Sequence, residues 1–107
     1  VALCARDAAG VAETAAAVEA AGVRGFGAVV DVADKAALEG WVADAAAALG
    51  GIDIVVANVS ALAVGPEEAA WQAGFDVDLM HTVRLVEAAM PAQSASRRTA
   101  ASGRSTR

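Results

Sequence analysis

Apolar positions along this chain fall into two patterns, short unbroken runs and longer stripes spaced three and four apart, and the two alternate. Val1 to Ala5 is a short apolar run that begins at the first residue and reads as a strand already under way. Arg6 and Asp7 close it, and Asp7 is placed to cap a helix running to Ala21, with Val11, Ala15 and Val18 on one face and Gly22 as the stop. Phe26 to Val30 is the second run, closed by Asp31. Asp34 then opens a helix whose Leu38, Trp41, Val42, Ala45 and Leu49 share a stripe, and Gly50 with Gly51 stops it. A third run, Ile52, Ile54, Val55 and Val56, is β-branched, too short for a helix and without the alternation of a half-exposed strand, so it predicts a buried parallel strand. After a loop through Gly65, Pro66 with Glu67 and Glu68 suits the first turn of a helix to about Met90. Trp71, Phe75, Leu79, Val83, Val86 and Met90 lie on one side of it, and Pro91 is its expected end.

Three strand–helix units in succession predict an α/β fold built on a doubly wound parallel sheet. In such a sheet ligands bind beyond the carboxyl ends of the strands, which here places Asn58 and Ser60 at a candidate site. From Gln93 to Arg107 the chain is Ser, Ala, Arg, Thr and Gly with no large apolar residue, and disorder is expected there. The expected organisation is one structured unit over residues 1–92 and a basic tail over 93–107.

Composition modifies this picture in two ways. The 57% hydrophobic content includes 31 alanines, which favour helix but bury little surface each, so a core must come from a few Val, Leu, Ile, Trp and Phe residues. The formal charge of −5 hides an asymmetry, since all 13 acids precede position 88 while four of the eight basic residues follow position 96. An acidic body argues against nucleic acid as a partner. No apolar run approaches membrane-spanning length and nothing marks secretion. The single Cys4 makes no internal disulfide, which is compatible with a reducing cytoplasm, the expected location. His81, the only histidine, has no Cys, His or acid at ligand spacing, so no metal site is expected.

The stretch GGIDIVVANVS, Gly50 to Ser60, resembles the fourth strand and following turn of the short-chain dehydrogenase/reductase family, where a Gly-x-Ile-Asp run enters a strand ending in Asn-Asn-Ala-Gly; of those two asparagines only the second is kept, as Asn58. Asp31-Val32 resembles the family's Asp-Val pair, and Phe75-Asp76-Val77-Asp78-Leu79 its Val-Asn-Leu segment. The resemblance covers Val1 to about Ala92 and implies a partial Rossmann-like sheet that starts at the second strand and stops after the fourth. It further implies transfer of hydride between a nicotinamide cofactor and a small-molecule carbonyl or alcohol. Another doubly wound class, such as a methyltransferase, is disfavoured because it usually wants an acid where this chain has Arg6.

Residue by residue, the resemblance puts Arg6 at the end of the strand that meets the adenosine ribose, where an arginine accommodates a 2′-phosphate, so NADP(H) is expected over NAD(H). Judged alone, Arg6 is a surface arginine beside a helix start. Asp31 would accept a hydrogen bond from the adenine amino group while Val32 packs on the ring, and Asp34 is free to serve as the helix cap instead. Asn58 would tie neighbouring strands and, with Ser60, shape the cofactor cleft; as a lone residue it is equally an ordinary turn asparagine. Asp78 stands where the family usually has the Asn of its catalytic tetrad, with a solvated helix carboxylate as the alternative.

Two of the family's stronger signatures are lacking. No Gly-rich turn joins a first strand and helix to cradle a pyrophosphate, and with no Tyr in the chain the Tyr-x-x-x-Lys pair is absent, as is the Ser expected after Pro91. The chain therefore reads as an incomplete copy, inactive as it stands, and its tail is of a composition that an out-of-frame reading of GC-rich DNA would yield. The family's first strand would lie between the strands at Val1 and Ile52, and its fifth on the far side of the latter. Unpaired backbone groups left buried cost about 1–3 kcal/mol each, so the isolated chain is not expected to be a stable domain. The helix at 67–90 corresponds to one that packs between subunits in many relatives, which makes a homo-oligomer or a non-catalytic interaction module the alternative expectation.

Overall fold

A computed structural model describes the backbone of residues 1–104 and the side chains of residues 1–95. Its first half follows the apolar pattern closely. Strand β1 (Ala2–Ala5) leads to helix α1 (Ala8–Ala20), whose N-cap Asp7 accepts a hydrogen bond from the Gly10 amide at 2.8 Å. Strand β2 (Phe26–Val29) returns parallel to β1, in register Ala2 with Phe26 through Ala5 with Val29. The crossover helix lies close against β2 because Gly27 has no side chain: a Cβ there would stand 2.8 Å from the Val11 methyl group.

Helix α2 (Lys35–Leu49) is capped at one end by Asp34, which accepts from the Ala37 amide at 3.1 Å, and at the other by Gly50 in the left-handed region at φ 75°. Arg24 adds a second closure by donating to the carbonyls of Ala48 and Leu49 at 3.0 and 3.4 Å, a cation on the negative end of the helix. The expected stripe is real. Leu38, Val42 and Ala45 are buried, and Leu38 and Val42 with Val32, Leu85 and Ala89 form the heart of the core, with Trp41 and Ile52 packed at its margin.

The second half departs from the sequence reading at three places. Ile52 to Val56 has no regular secondary structure and forms no ladder; among the described residues the sheet has two strands, β1 and β2. Ile54 is 82% exposed and Val56 74%, where a buried strand was expected. A parallel strand is buried by neighbours on both edges and layers on both faces, and no neighbouring strand lies along this segment. Three strand–helix units are thus reduced to two plus an unpaired irregular segment.

The next helix begins where Pro66 and Glu67 predict, but in three parts: α3 (Glu68–Ala73), a π-helical stretch over Gly74–Leu79, and α4 (Met80–Arg104). It does not stop at Pro91. α4 runs through that residue and over positions 93–104, where disorder was expected; the remainder of the expected tail lies outside the described residues. Proline removes one backbone donor and crowds the carbonyl four residues earlier, but Ala88, Ala89, Ala92 and Ala95 around it are the strongest helix formers and keep the turn. α4 packs on α2 through Leu85 and Ala89, while Trp71, Phe75, Leu79, Val83, Val86 and Met90 all lie exposed on the other face.

Candidate cofactor-edge site

Arg6, Asp31, Val32 and Ser60, separated by up to 54 positions in the chain, line one cavity of about 540 Å³. Its floor is the carboxyl ends of β1 and β2, from Ala5 to Asp7 and from Val30 to Val32, and its far wall is the loop from Val59 to Ala63 with Val77. This is the place a parallel sheet offers to ligands, because strand ends and the helix starts that follow them converge there.

Each side chain has a local cause for its position. Arg6 follows the last residue of β1 and is exposed; among the described residues its guanidinium makes no hydrogen bond or ion pair, so its fork of donors is available to an anion. Asp31 follows β2, and one carboxylate oxygen accepts from the Ala33 amide at 3.0 Å, closing a tight turn. Because Asp34 caps α2, the Asp31 carboxylate is left at the cavity with its second oxygen uncommitted. Val32 is both cavity wall and core residue, held against Leu38 and Leu85. The Ser60 hydroxyl accepts from the Leu62 amide at 3.1 Å, and Leu62 stands at φ 50°.

Asp78 and Asn58 are placed differently. Asp78 is not on this cavity's wall, but one of its carboxylate oxygens accepts from the Ala61 amide at 2.7 Å and so ties the π-helical stretch to the loop that carries Ser60. That makes it a support of the site. Asn58 is exposed, its side chain has no hydrogen bond among the described residues, and it faces a smaller cavity of about 260 Å³ with Leu3, Cys4, Trp41 and His81. The strands it was expected to join are not both present beside it.

The structure gives further residues a setting that the sequence did not show. His81 is 3% exposed, its Nδ1 is in contact with the Val77 carbonyl, and its Nε2 is buried without a partner, as is Nε1 of Trp41. Arg84 reaches from α4 to the carbonyl of Ala33 at 3.3 Å and steadies the turn behind Asp31. A lone histidine and a helix arginine carry no signal of this in the sequence, because both roles depend on which helix packs across them. Burial raises the Cys4 thiol above its ordinary 9.0, which favours the neutral form over the thiolate that a nucleophile needs. Among the described residues no cluster of three His, Cys, Asp or Glu forms a metal site, and no helix is long and apolar enough to cross a membrane.

Comparison with known proteins agrees with this architecture. The family model for short chain dehydrogenases matches residues 1–102, beyond the Ala92 limit read from the sequence, and the chain belongs to that family. It is 41% identical to an isoepoxydon dehydrogenase of Penicillium expansum over 68 residues, which is 64% of this chain and 26% of that protein. Among solved structures, L-sorbose reductase from Gluconobacter frateurii, complexed with NADPH and L-sorbose, superposes with a TM-score of 0.79 at 28% identity, over 89% of this chain and 38% of that one. Carveol dehydrogenase from Mycobacterium avium, in complex with NAD, gives 0.73 at 31% identity, over 79% and 32%. The chain thus spans about a quarter of the curated relative and about a third of these structures, and its fold is a partial α/β Rossmann sheet of an oxidoreductase family.

Proposed function

We propose that this chain is the adenosine-binding part of an NADP(H)-preferring oxidoreductase acting on a small carbonyl or alcohol, and that it does not catalyse hydride transfer as it stands. The observation that carries the reading is the cavity that joins the unpartnered Arg6 guanidinium to the Asp31 carboxylate at the ends of adjacent parallel strands. Such a pair suits the adenosine end of the cofactor. Arg6 would hold a 2′-phosphate by a charge-assisted fork, Asp31 would accept from the adenine amino group with its second oxygen, and Val30 and Val32 supply an apolar wall. Ser60 lies across the cavity, on the loop that Asp78 tethers.

When bound, the cofactor supplies the hydride, while the chain's own contribution is limited to binding and orientation. No tyrosine is present to act as acid or base and no Gly-rich turn to cradle a pyrophosphate, so affinity has to come from the adenosine end alone. Solved relatives carry NADPH in one case and NAD in another, and Arg6 is the residue that favours the phosphorylated form here.

Titrating the purified chain with NADPH and with NADH, by nicotinamide fluorescence, tests the reading. Saturable binding with NADPH preferred, and loss of that preference in Arg6→Ala, is expected. Equal affinity for the two cofactors, or a preference that survives Arg6→Ala, would refute the role of Arg6.

A second reading is favoured by the apolar side of α3 and α4, where Trp71 is 72% exposed and Phe75, Leu79 and Met90 are more than half exposed. A face of that kind suits a non-catalytic interaction module that docks on a homologous subunit. Co-purification with a full-length relative, abolished by Trp71→Ser, is its test; a chain that stays monomeric beside that relative counts against it.

A further inference from the structure

Away from the strand ends, α3 and the π-helical stretch form one wall of a separate cavity of about 540 Å³, and the loop from Ala63 to Gly65 forms the other. Its lining combines two aromatic rings, Trp71 and Phe75, with the aliphatic side chains of Val64 and Leu79 and a single acid, Asp78. Among the described residues no Lys, Arg or His lines it. The two rings stand four positions apart and are 72% and 52% exposed, so their faces are open to a ligand.

The acid is held in place but only half used. Its Oδ1 accepts from the Ala61 amide, which fixes the carboxylate, while Oδ2 has no hydrogen bond or ion pair among the described residues. Gly74 leaves Oδ2 uncovered. Apart from the helix backbone and the adjacent residues, that oxygen is the one atom within 4 Å of the point where a Gly74 Cβ would stand, at 3.9 Å. At the loop end of the cavity the Glu67 carboxylate folds back over Gly65, and it makes no capping bond to the helix it precedes. The cavity is thus apolar, aromatic-walled and negative, with a positioned acceptor and no side-chain cation beside it.

We propose that this cavity binds a small organic ammonium ion, an aliphatic amine protonated at neutral pH. Its N–H groups would donate to Oδ2 of Asp78, its charge would lie against the electron-rich face of Trp71 or Phe75, and its hydrocarbon part would cover Val64 and Leu79. A bare metal cation would leave the apolar wall unused, and an anion would meet two carboxylates. A neutral molecule of the same shape gains only the apolar contact. Because the site is open to solvent, the carboxylate and the aromatic face are each worth roughly threefold in affinity, about tenfold together. The proposal involves neither Arg6 nor the nicotinamide cofactor.

The test titrates the full chain, labelled with 5-fluorotryptophan, with cyclohexylmethylammonium and with its neutral isostere cyclohexylmethanol, in sucrose, which favours the compact state and offers no competing amine. The fluorine resonances of Trp41 and Trp71 are told apart by Trp71→Phe. Expected are a saturable shift of the Trp71 resonance with the ammonium ion, about tenfold weaker binding of the alcohol, and weakening of the ammonium by added salt. Asp78→Asn keeps an acceptor for the Ala61 amide and removes the charge, so it should weaken the ammonium roughly threefold and leave the alcohol unchanged. Equal binding of the two compounds would reduce the cavity to an apolar sink and overturn the proposal, as would a shift confined to Trp41 or no binding at all. A chain that is dimeric from the outset and takes up no amine would assign Trp71 and Phe75 to a subunit contact, with the same consequence.

Discussion

Leu38 and Ile54 are both aliphatic residues that the hydrophobic pattern assigns to the interior, yet the tertiary structure treats them oppositely, so truncating each to alanine separates pattern from packing. Leu38 is 1% exposed and touches the centre of the core, and its loss would leave a cavity between α2 and α4; measured series for such sites put the cost at about 2.7–5.0 kcal/mol. Ile54 is 82% exposed, so about a fifth of its surface is buried, and full burial of such a side chain is worth about 1.5–3 kcal/mol, which leaves about 0.3–0.6 kcal/mol. The expected ratio between the two variants is therefore roughly tenfold in free energy. A domain with so few buried large residues and an unpaired sheet edge is marginal in plain buffer. The assay is accordingly a trimethylamine N-oxide titration, which drives a weakly stable chain toward its compact state, followed by circular dichroism. Leu38→Ala should move the midpoint strongly to higher osmolyte, and Ile54→Ala should leave it almost in place. Equal shifts would mean that Ile52 to Val56 is packed as a buried strand and would refute the reasoning.

In the same buffer without osmolyte, the chain is expected to melt without a sharp cooperative transition, and a calorimetric peak with matching van't Hoff enthalpy would contradict this. Asp78→Ala should free the Val59–Ala63 loop and speed hydrogen exchange at the Ala61 amide, while Asp78→Asn keeps an acceptor and much of the protection; the bond is exposed, so the cost is about 1 kcal/mol. Unchanged exchange in Asp78→Ala would show that the tether is idle. Because burial raises the Cys4 thiol above its ordinary 9.0, the folded state holds that proton more tightly than the unfolded one, so its contribution is intact below about pH 9 and is lost as pH rises through the folded value. Alkylation of Cys4 by iodoacetamide at pH 8 should accelerate severalfold on adding urea, and an equal rate in native and unfolded chain would refute that placement.

Local chemistry alone determined the first half of this protein. Asp7 and Asp34 cap the helices that follow them, Gly50 ends α2 in the left-handed region, and the stripe of Leu38, Val42 and Ala45 faces the core, since each depends on residues within a turn or two. The positions of Arg6 and Asp31 at the ends of adjacent strands were legible for the same reason. A strand's burial was not, because an apolar run reports what a segment would bury and not whether neighbours exist to bury it. That is why Ile52 to Val56 carries a strand's residues without a strand's partners. Pro91 likewise reads as a stop from its own chemistry, whereas the alanine-rich surroundings carry α4 past it. The pairing of Arg6 with Ser60 around one cavity, the tether from Asp78 and the burial of His81 required contacts between residues far apart in the chain, and only the packing of α4 on α2 and the placement of the π-helical stretch beside the Val59–Ala63 loop decided them.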